Sequence, residues 1–336
     1  MKSIITSLVC VCCLTACKGQ AEFGAELLKL EKLIEMPGVR GRVDHMEINL
    51  KKQVLYVAAL GNNSVEVIDV QKGATIHSIK GLDEPQGVVY IPERDEIVIA
   101  NGGNGNCVFY NAESYAVITS LHLAGDADNV RYNAADGKIY VGYGNGGIAV
   151  IDARSHKLTG DVKLPAHPES FQLDQKNNLL YVNLPDANSI AVINLNEMKI
   201  IHTWKTNGLS ANFPMALDNA NHRVIVGYRH PAVLVSYDAN SGKQVSRNDM
   251  VSDVDDVFYD ASKQLVYTSG GGGAINIFKN DAGNTYKRVA QIPTRSGART
   301  SFLIPALHRY ILAERATGGK EAAIEVYKIN GGLDNF

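Results

Sequence analysis

The chain is poor in the residues that most readily identify a mechanism. Four of its five cysteines, Cys10, Cys12, Cys13 and Cys17, crowd the amino-terminal end, and only Cys107 lies beyond them. No intramolecular disulfide can form in the body of the chain, so its stability has to come from packing. There is no Cys-x-x-Cys-His, which excludes covalently attached haem. After the first twenty residues no stretch approaches the roughly 18 uncharged apolar residues of a membrane-crossing helix. Basic charge is also scarce: 33 Lys and Arg stand against 35 Asp and Glu, a net charge of −2, with no basic stripe. A duplex-binding surface carries such a footprint, so nucleic acid is not expected as a partner. The glycine-rich runs 102–106 and 270–273 are not followed by Gly-Lys-Ser/Thr and lie between strand patterns. A phosphate cradle needs a helix N-terminus or an equivalent nest, so these runs are expected to be hairpin turns.

The amino-terminal end reads as an address. Lys2 supplies a short positive region, and an uncharged apolar run follows to Leu14. It ends in Leu14-Thr15-Ala16-Cys17, which resembles the lipobox of bacterial lipoproteins. That resemblance implies a signal peptide at 1–16, cleavage before Cys17 and lipidation of Cys17. Residues 17–27 would then form a lipidated tether to the membrane. Lys18 follows the cysteine, and in the Gram-negative sorting pattern a residue other than Asp there implies the outer membrane, on its periplasmic or surface face. About ten tether residues span at most roughly 30–36 Å, which would hold the folded body close to the bilayer.

The body of the chain repeats. Leu55-Tyr56-Val57, a turn cluster and Val65-Glu66-Val67-Ile68-Asp69 recur as Ile139-Tyr140-Val141 with Ile148-Ala149-Val150-Ile151-Asp152. They recur again as Leu180-Tyr181-Val182 with Ile190-Ala191-Val192-Ile193-Asn194. Equivalent strand centres fall at Tyr56, Val98, Tyr140, Tyr181, Ile225, Tyr267 and Ile311, at steps of 41 to 44 residues. Apolar residues alternate at a spacing of two, so the repeat is built of strands and not helices. Seven copies of this length match four short strands per blade of a β-propeller. Leading strands are expected at 46–49, 88–91, 130–133, 171–174, 215–218, 257–260 and 301–304, and trailing strands include 75–79, 117–121 and 200–204. The seventh copy lacks a trailing strand, and a spare one lies at 30–35. The residues after it, Met36-Pro37-Gly38-Val39-Arg40-Gly41, echo Ile292-Pro293-Thr294-Arg295-Ser296-Gly297. The expected fold is therefore all-β: a single seven-bladed propeller over 28–331 with four-stranded antiparallel blades, closed by the N-terminal strand completing blade seven.

These motifs resemble the YVTN-repeat propeller family, most strongly at 54–69, 138–152 and 179–194. The match weakens in blades five to seven, at Val224-Ile225-Val226, Val266-Tyr267-Thr268 and Tyr310-Ile311-Leu312. The resemblance implies a bacterial propeller, often exported, and leaves function to be argued from the site.

Aligning the copies places Asp44, Gln86, Asp128, Glu169, Phe213, Asp255 and Arg299 at one ring position around the channel mouth. His45, Gly87, Asn129, Ser170, Pro214, Asp256 and Thr300 take the next. The first ring is acidic at four of its positions and carries one arginine, which suits a polar small molecule, a cationic group or a metal ion. Calcium is the candidate cofactor, through carboxylates and amide oxygens, with Asp253, Asp255 and Asp256 as a local cluster. His167 and His230 fall in mouth-facing loops. Cys107 sits in a strand pattern and is expected to be a buried apolar residue.

The expected function is a membrane-anchored binding scaffold, a monomer that presents its polar mouth to a protein partner or a small molecule. A second reading is a lactonase-like hydrolase, with His45 as base, Glu169 as its partner and Arg299 stabilising an oxyanion. Blades one and four lie across the ring from one another, which sets His45 and Glu169 apart. A third reading is a docking subunit for a periplasmic redox enzyme.

Overall fold

The computed structural model describes residues 27–281 and 285–330. The expected signal peptide at 1–16, Cys17 and nearly all of the expected tether lie outside the described residues, as does the last residue of the expected propeller range.

The strands assemble into seven four-stranded antiparallel sheets, arranged as the blades of a propeller. Blades one to six take consecutive stretches of chain, at 46–80, 85–122, 130–163, 171–205, 210–249 and 254–293. Blade seven combines three strands from 301–329 with the N-terminal strand Leu28–Met36, which pairs antiparallel with Ala322–Ile329 from Leu28 opposite Ile329 to Met36 opposite Ala322. The spare strand thus completes the last blade, as the sequence implies. Joining the two chain ends in one sheet leaves no interrupted blade and so protects against edge pairing.

Each second strand is buried on both faces, as in Val54–Ala59 and Leu265–Gly270. Two buried faces explain why these strands read as nearly continuous apolar runs. The core is divided accordingly into seven apolar clusters, each lying between consecutive blades. Tyr56 and Val67 of blade one meet Val88 and Ile97 of blade two. Ile34 and Met36 close the ring by packing with Ile311, Val57 and Ile68. Cys107 is fully buried in the cluster between blades two and three, and burial pushes its thiol up to about 12. It is a packing residue. Both glycine-rich runs are hairpin turns, joining Glu96–Asn101 to Asn106–Asn111 and Leu265–Gly270 to Ala274–Asn280. Among the described residues no helix is long and apolar enough to cross a membrane.

Candidate functional site

The first strand of each blade lines the axis, and the two residues before it form the mouth. A recurring pair of backbone hydrogen bonds fixes them. Asp44 N–H donates to Ala58 O while Ala58 N–H donates to His45 O. The same exchange joins Asp128 and Asn129 to Gly142, and Glu169 and Ser170 to Asn183. In blades two, five and six the mouth residues belong to the strand itself, and the ladder shifts register there, between Pro85 and Val88, Asn212 and Met215, and Val254 and Asp256. Bulges of this kind re-aim side chains and often adjoin functional sites. Gly87 has a steric reason: a Cβ there would lie 2.1 Å from Asp128 O, so blade two can approach blade three only through glycine.

All seven residues of the first ring position line one axial cavity of about 780 Å³, together with His45, Asn129, Ser170, Pro214, Asp256 and Thr300. Volumes of several hundred cubic ångströms are those of small-molecule sites. The wall is not simply acidic with one cation. Arg42, Arg131, Arg229 and His167 also line it, alongside Asp126 and Glu47.

The charges sort into two sectors. On the side of blades five to seven, two arginines hold two aspartates. Arg299 lies 2.8 Å from Asp253 Oδ1 and 3.0 Å from Asp255 Oδ2. Arg229 pairs with the same two carboxylates and stacks over Phe213, 4.2 Å from the ring centroid. Asp256 instead accepts the Ser301 N–H at 2.6 Å. The proposed cluster of Asp253, Asp255 and Asp256 is therefore taken up by guanidinium and backbone donors, which leaves little for calcium.

The other sector joins blades one, three and four. His45 Nε2 lies 3.6 Å from Asp128 Oδ1 and 3.8 Å from Asp44 Oδ1. His167 Nε2 lies 3.7 Å from Asp128 Oδ2. Asp128, His167 and Glu169 each bring a ligand atom within 4.8 Å of the others, which among the described residues makes them the group able to share a metal ion. Gln86 Nε2 donates to Asp126 Oδ1 at 3.0 Å, and Asp126 Oδ2 is 3.5 Å from His167 Nδ1. Burial alone would lower His45, but the Asp128 and Asp44 carboxylates outweigh it and hold the imidazole at about 9. Burial likewise opposes His167, which Asp128 and the Gly144 carbonyl raise to about 9. Asp128 is held well below the usual carboxylate range; burial works against this, and the two histidines overcome it. Burial, with repulsion from Asp128, raises Glu169 to about 8.

The alignment of repeats thus finds the ring residues that face the axis. His45 faces Asp44 and Asp128, whereas Arg299 is held by Asp253 and Asp255. Asp128 links the residues of blades one and four: His45 Nε2 lies 3.6 Å from it, and it also falls in one group with His167 and Glu169. His230 lies exposed at the end of Arg223–His230 and does not line the cavity. Arg229, Arg131, Arg42, Glu47 and Asp126 are charged lining residues that the ring alignment misses. They sit off the two aligned positions, although Arg229 could have been suspected as a charge ending an apolar strand.

No protein-family model and no curated protein matches the chain, so the repeat resemblance rests on the residues quoted above. Solved structures match its shape. One, from a crystal structure of a mitotic checkpoint complex, aligns at TM-score 0.75 and 16% identity over 90% of this chain and 92% of that one. Another, Kuenenia stuttgartiensis hydrazine synthase, aligns at TM-score 0.73 and 13% identity over 83% of this chain and 96% of that one. At such identities the likeness is one of fold. Those two proteins are named for unrelated roles, as expected of a fold that hosts many functions.

Proposed function

We propose that this chain is an extracytoplasmic binding scaffold that takes a small polar ligand in its axial channel. A propeller fits a binding or interaction role in general. The observation that carries the finer reading is the convergence of one residue from every blade on a single cavity of about 780 Å³ whose wall holds both signs of charge. In six of the seven blades the mouth residues are held by paired backbone bonds or lie at a bulge, and pre-organised polar groups favour binding by lowering the ordering cost. Lipid on Cys17 would tether the scaffold to the membrane, and Cys17→Ser should then move the protein from the membrane to the soluble fraction.

The hydrolytic assignment is less well supplied. An imidazole held at about 9 is already protonated near neutrality, so His45 is poorly suited to serve as the base. Arg299 is engaged by two aspartates. No feature of the cavity favours a redox partner over a small ligand.

A thermal-shift screen of small polar molecules tests the reading. A ligand well above its Kd should raise the melting temperature by a few degrees. The shift should shrink in Gln86→Ala and Glu169→Gln. A screen without any shift, or a shift that both variants retain in full, would count against the channel.

A further inference from the structure

The wall formed by blades three and four supports a more specific reading, one that rests on the channel being a binding site and names what it holds. His167 Nδ1 lies 2.6 Å from Gly144 O. A carbonyl can only accept, so Nδ1 carries a hydrogen, and an ion bound at Nε2, the atom that faces Asp128, would take the place of the ring's second proton. Metal-binding histidines are oriented in this way, with the far nitrogen donating to a backbone carbonyl or carboxylate. Asp126, 3.5 Å from the same Nδ1, adds a carboxylate behind the ring.

A second observation is independent of the first. The Asp128 side chain is only 8% exposed, and its Oδ1 accepts no hydrogen bond within the protein, its nearest cation being His45 Nε2 at 3.6 Å. Buried polar atoms normally have a partner, and leaving one without is costly. The spacing gives a third. At 3.7 Å, His167 Nε2 and Asp128 Oδ2 are too far apart for a hydrogen bond. They are near the separation of two ligands that each sit about 2.0–2.2 Å from one ion. Glu169 completes the group.

We propose that Asp128, His167 and Glu169 form a binding site for a divalent first-row transition ion such as zinc, with its open coordination position facing the axial cavity. One nitrogen and two carboxylates match zinc and its neighbours, whereas calcium takes six to eight oxygens. Three protein ligands with one open position is the arrangement of zinc sites that bind an exogenous molecule. His45, whose Nε2 is 3.6 Å from Asp128 Oδ1, stands close to that position and could hydrogen-bond a molecule bound there.

The test is titration of the purified protein with zinc by calorimetry, and with cobalt followed by its visible absorption. One equivalent should bind, and cobalt should give the bands of a low-coordinate nitrogen and oxygen site. His167→Ala and Asp128→Asn should each weaken binding at least about 100-fold, since even outer-shell changes cost 10- to 100-fold. His202→Ala, on the exposed face of blade four, should bind as the unchanged protein does. If circular dichroism shows Asp128→Asn unfolded, His167→Gln and Glu169→Gln carry the comparison. Absence of stoichiometric binding, undiminished affinity in a folded His167 variant, or loss in His202→Ala would each overturn the site. A polar ligand that shifts the melting temperature of protein binding no zinc would overturn the metal site and leave the channel reading standing. Zinc that binds as predicted supports both.

Discussion

Asp256 lines the axial cavity with its carboxylate bound to the Ser301 N–H. Burial, reinforced by Asp255 and opposed by His45, raises its pKa to about 7. In the unfolded chain the value is about 3.9. The folded state therefore binds more protons between these values, and stability falls as pH rises through that window. Asparagine keeps the acceptor and removes the charge. From about pH 4 to about pH 8, Asp256→Asn should gain on the unchanged protein by as much as about 4 kcal/mol, measured by urea unfolding. Parallel stability profiles would show that Asp256 does not carry the pH dependence. The aspartates that end third strands behave in the opposite sense. Asp69 accepts the Lys72 N–H at 2.8 Å, and Asp152 and Asp238 accept those of Ser155 and Ser241. Those backbone and side-chain hydrogen bonds lower all three, so their contribution is present above the unfolded value and lost as pH falls. Asn111 and Asn194 make the same turn in blades two and four, which explains why the repeat ends in Asp or Asn.

At the scale of the strand, alternation decides what each residue contributes. In Leu28–Met36, Ile34 is 1% exposed and packs between blades seven and one, while the adjacent Leu33 is 54% exposed. Ile34→Ala should cost about 2–5 kcal/mol in chemical unfolding. Leu33→Ala should change stability by no more than about 0.5 kcal/mol. Equal effects would mean that this strand does not close the ring. The strands were largely legible in the sequence. Met46–Asn49, Val130–Asn133, Phe171–Asp174 and Ser301–Ile304 fall where the repeat places them. Pro85–Ile91, Ser210–Asp218 and Val254–Asp260 begin several residues early, because their mouth segments join the ladder through a bulge. A bulge leaves no mark on apolar periodicity. The closing strand could be read because Met36-Pro37-Gly38 repeats the boundary at Ile292-Pro293.

Across the whole molecule, the repeat carries the site as far as symmetry reaches. Residues at one fixed offset from the first strands take equivalent places around the axis, and so the ring from Asp44 to Arg299 is legible in the repeat alone. What breaks the symmetry is not. Arg229 enters from the second strand of blade five and Asp126 from a loop outside the aligned pair, whereas His167, from another such loop, lines the cavity as its mouth-facing place in the sequence implies. Which carboxylate meets which cation depends on side-chain reach across a narrow channel, as with His45 and Asp128. The division into an arginine-held sector and a histidine-carboxylate sector is a property of the assembled ring. The most direct measurement of the central claim is a crystal structure with a ligand that stabilises the protein in solution. The account predicts density inside the axial cavity, in contact with Asp128, Glu169 and residues of at least one further blade. A ligand seated on the outer strands or the opposite face, with only solvent on the axis, would contradict it.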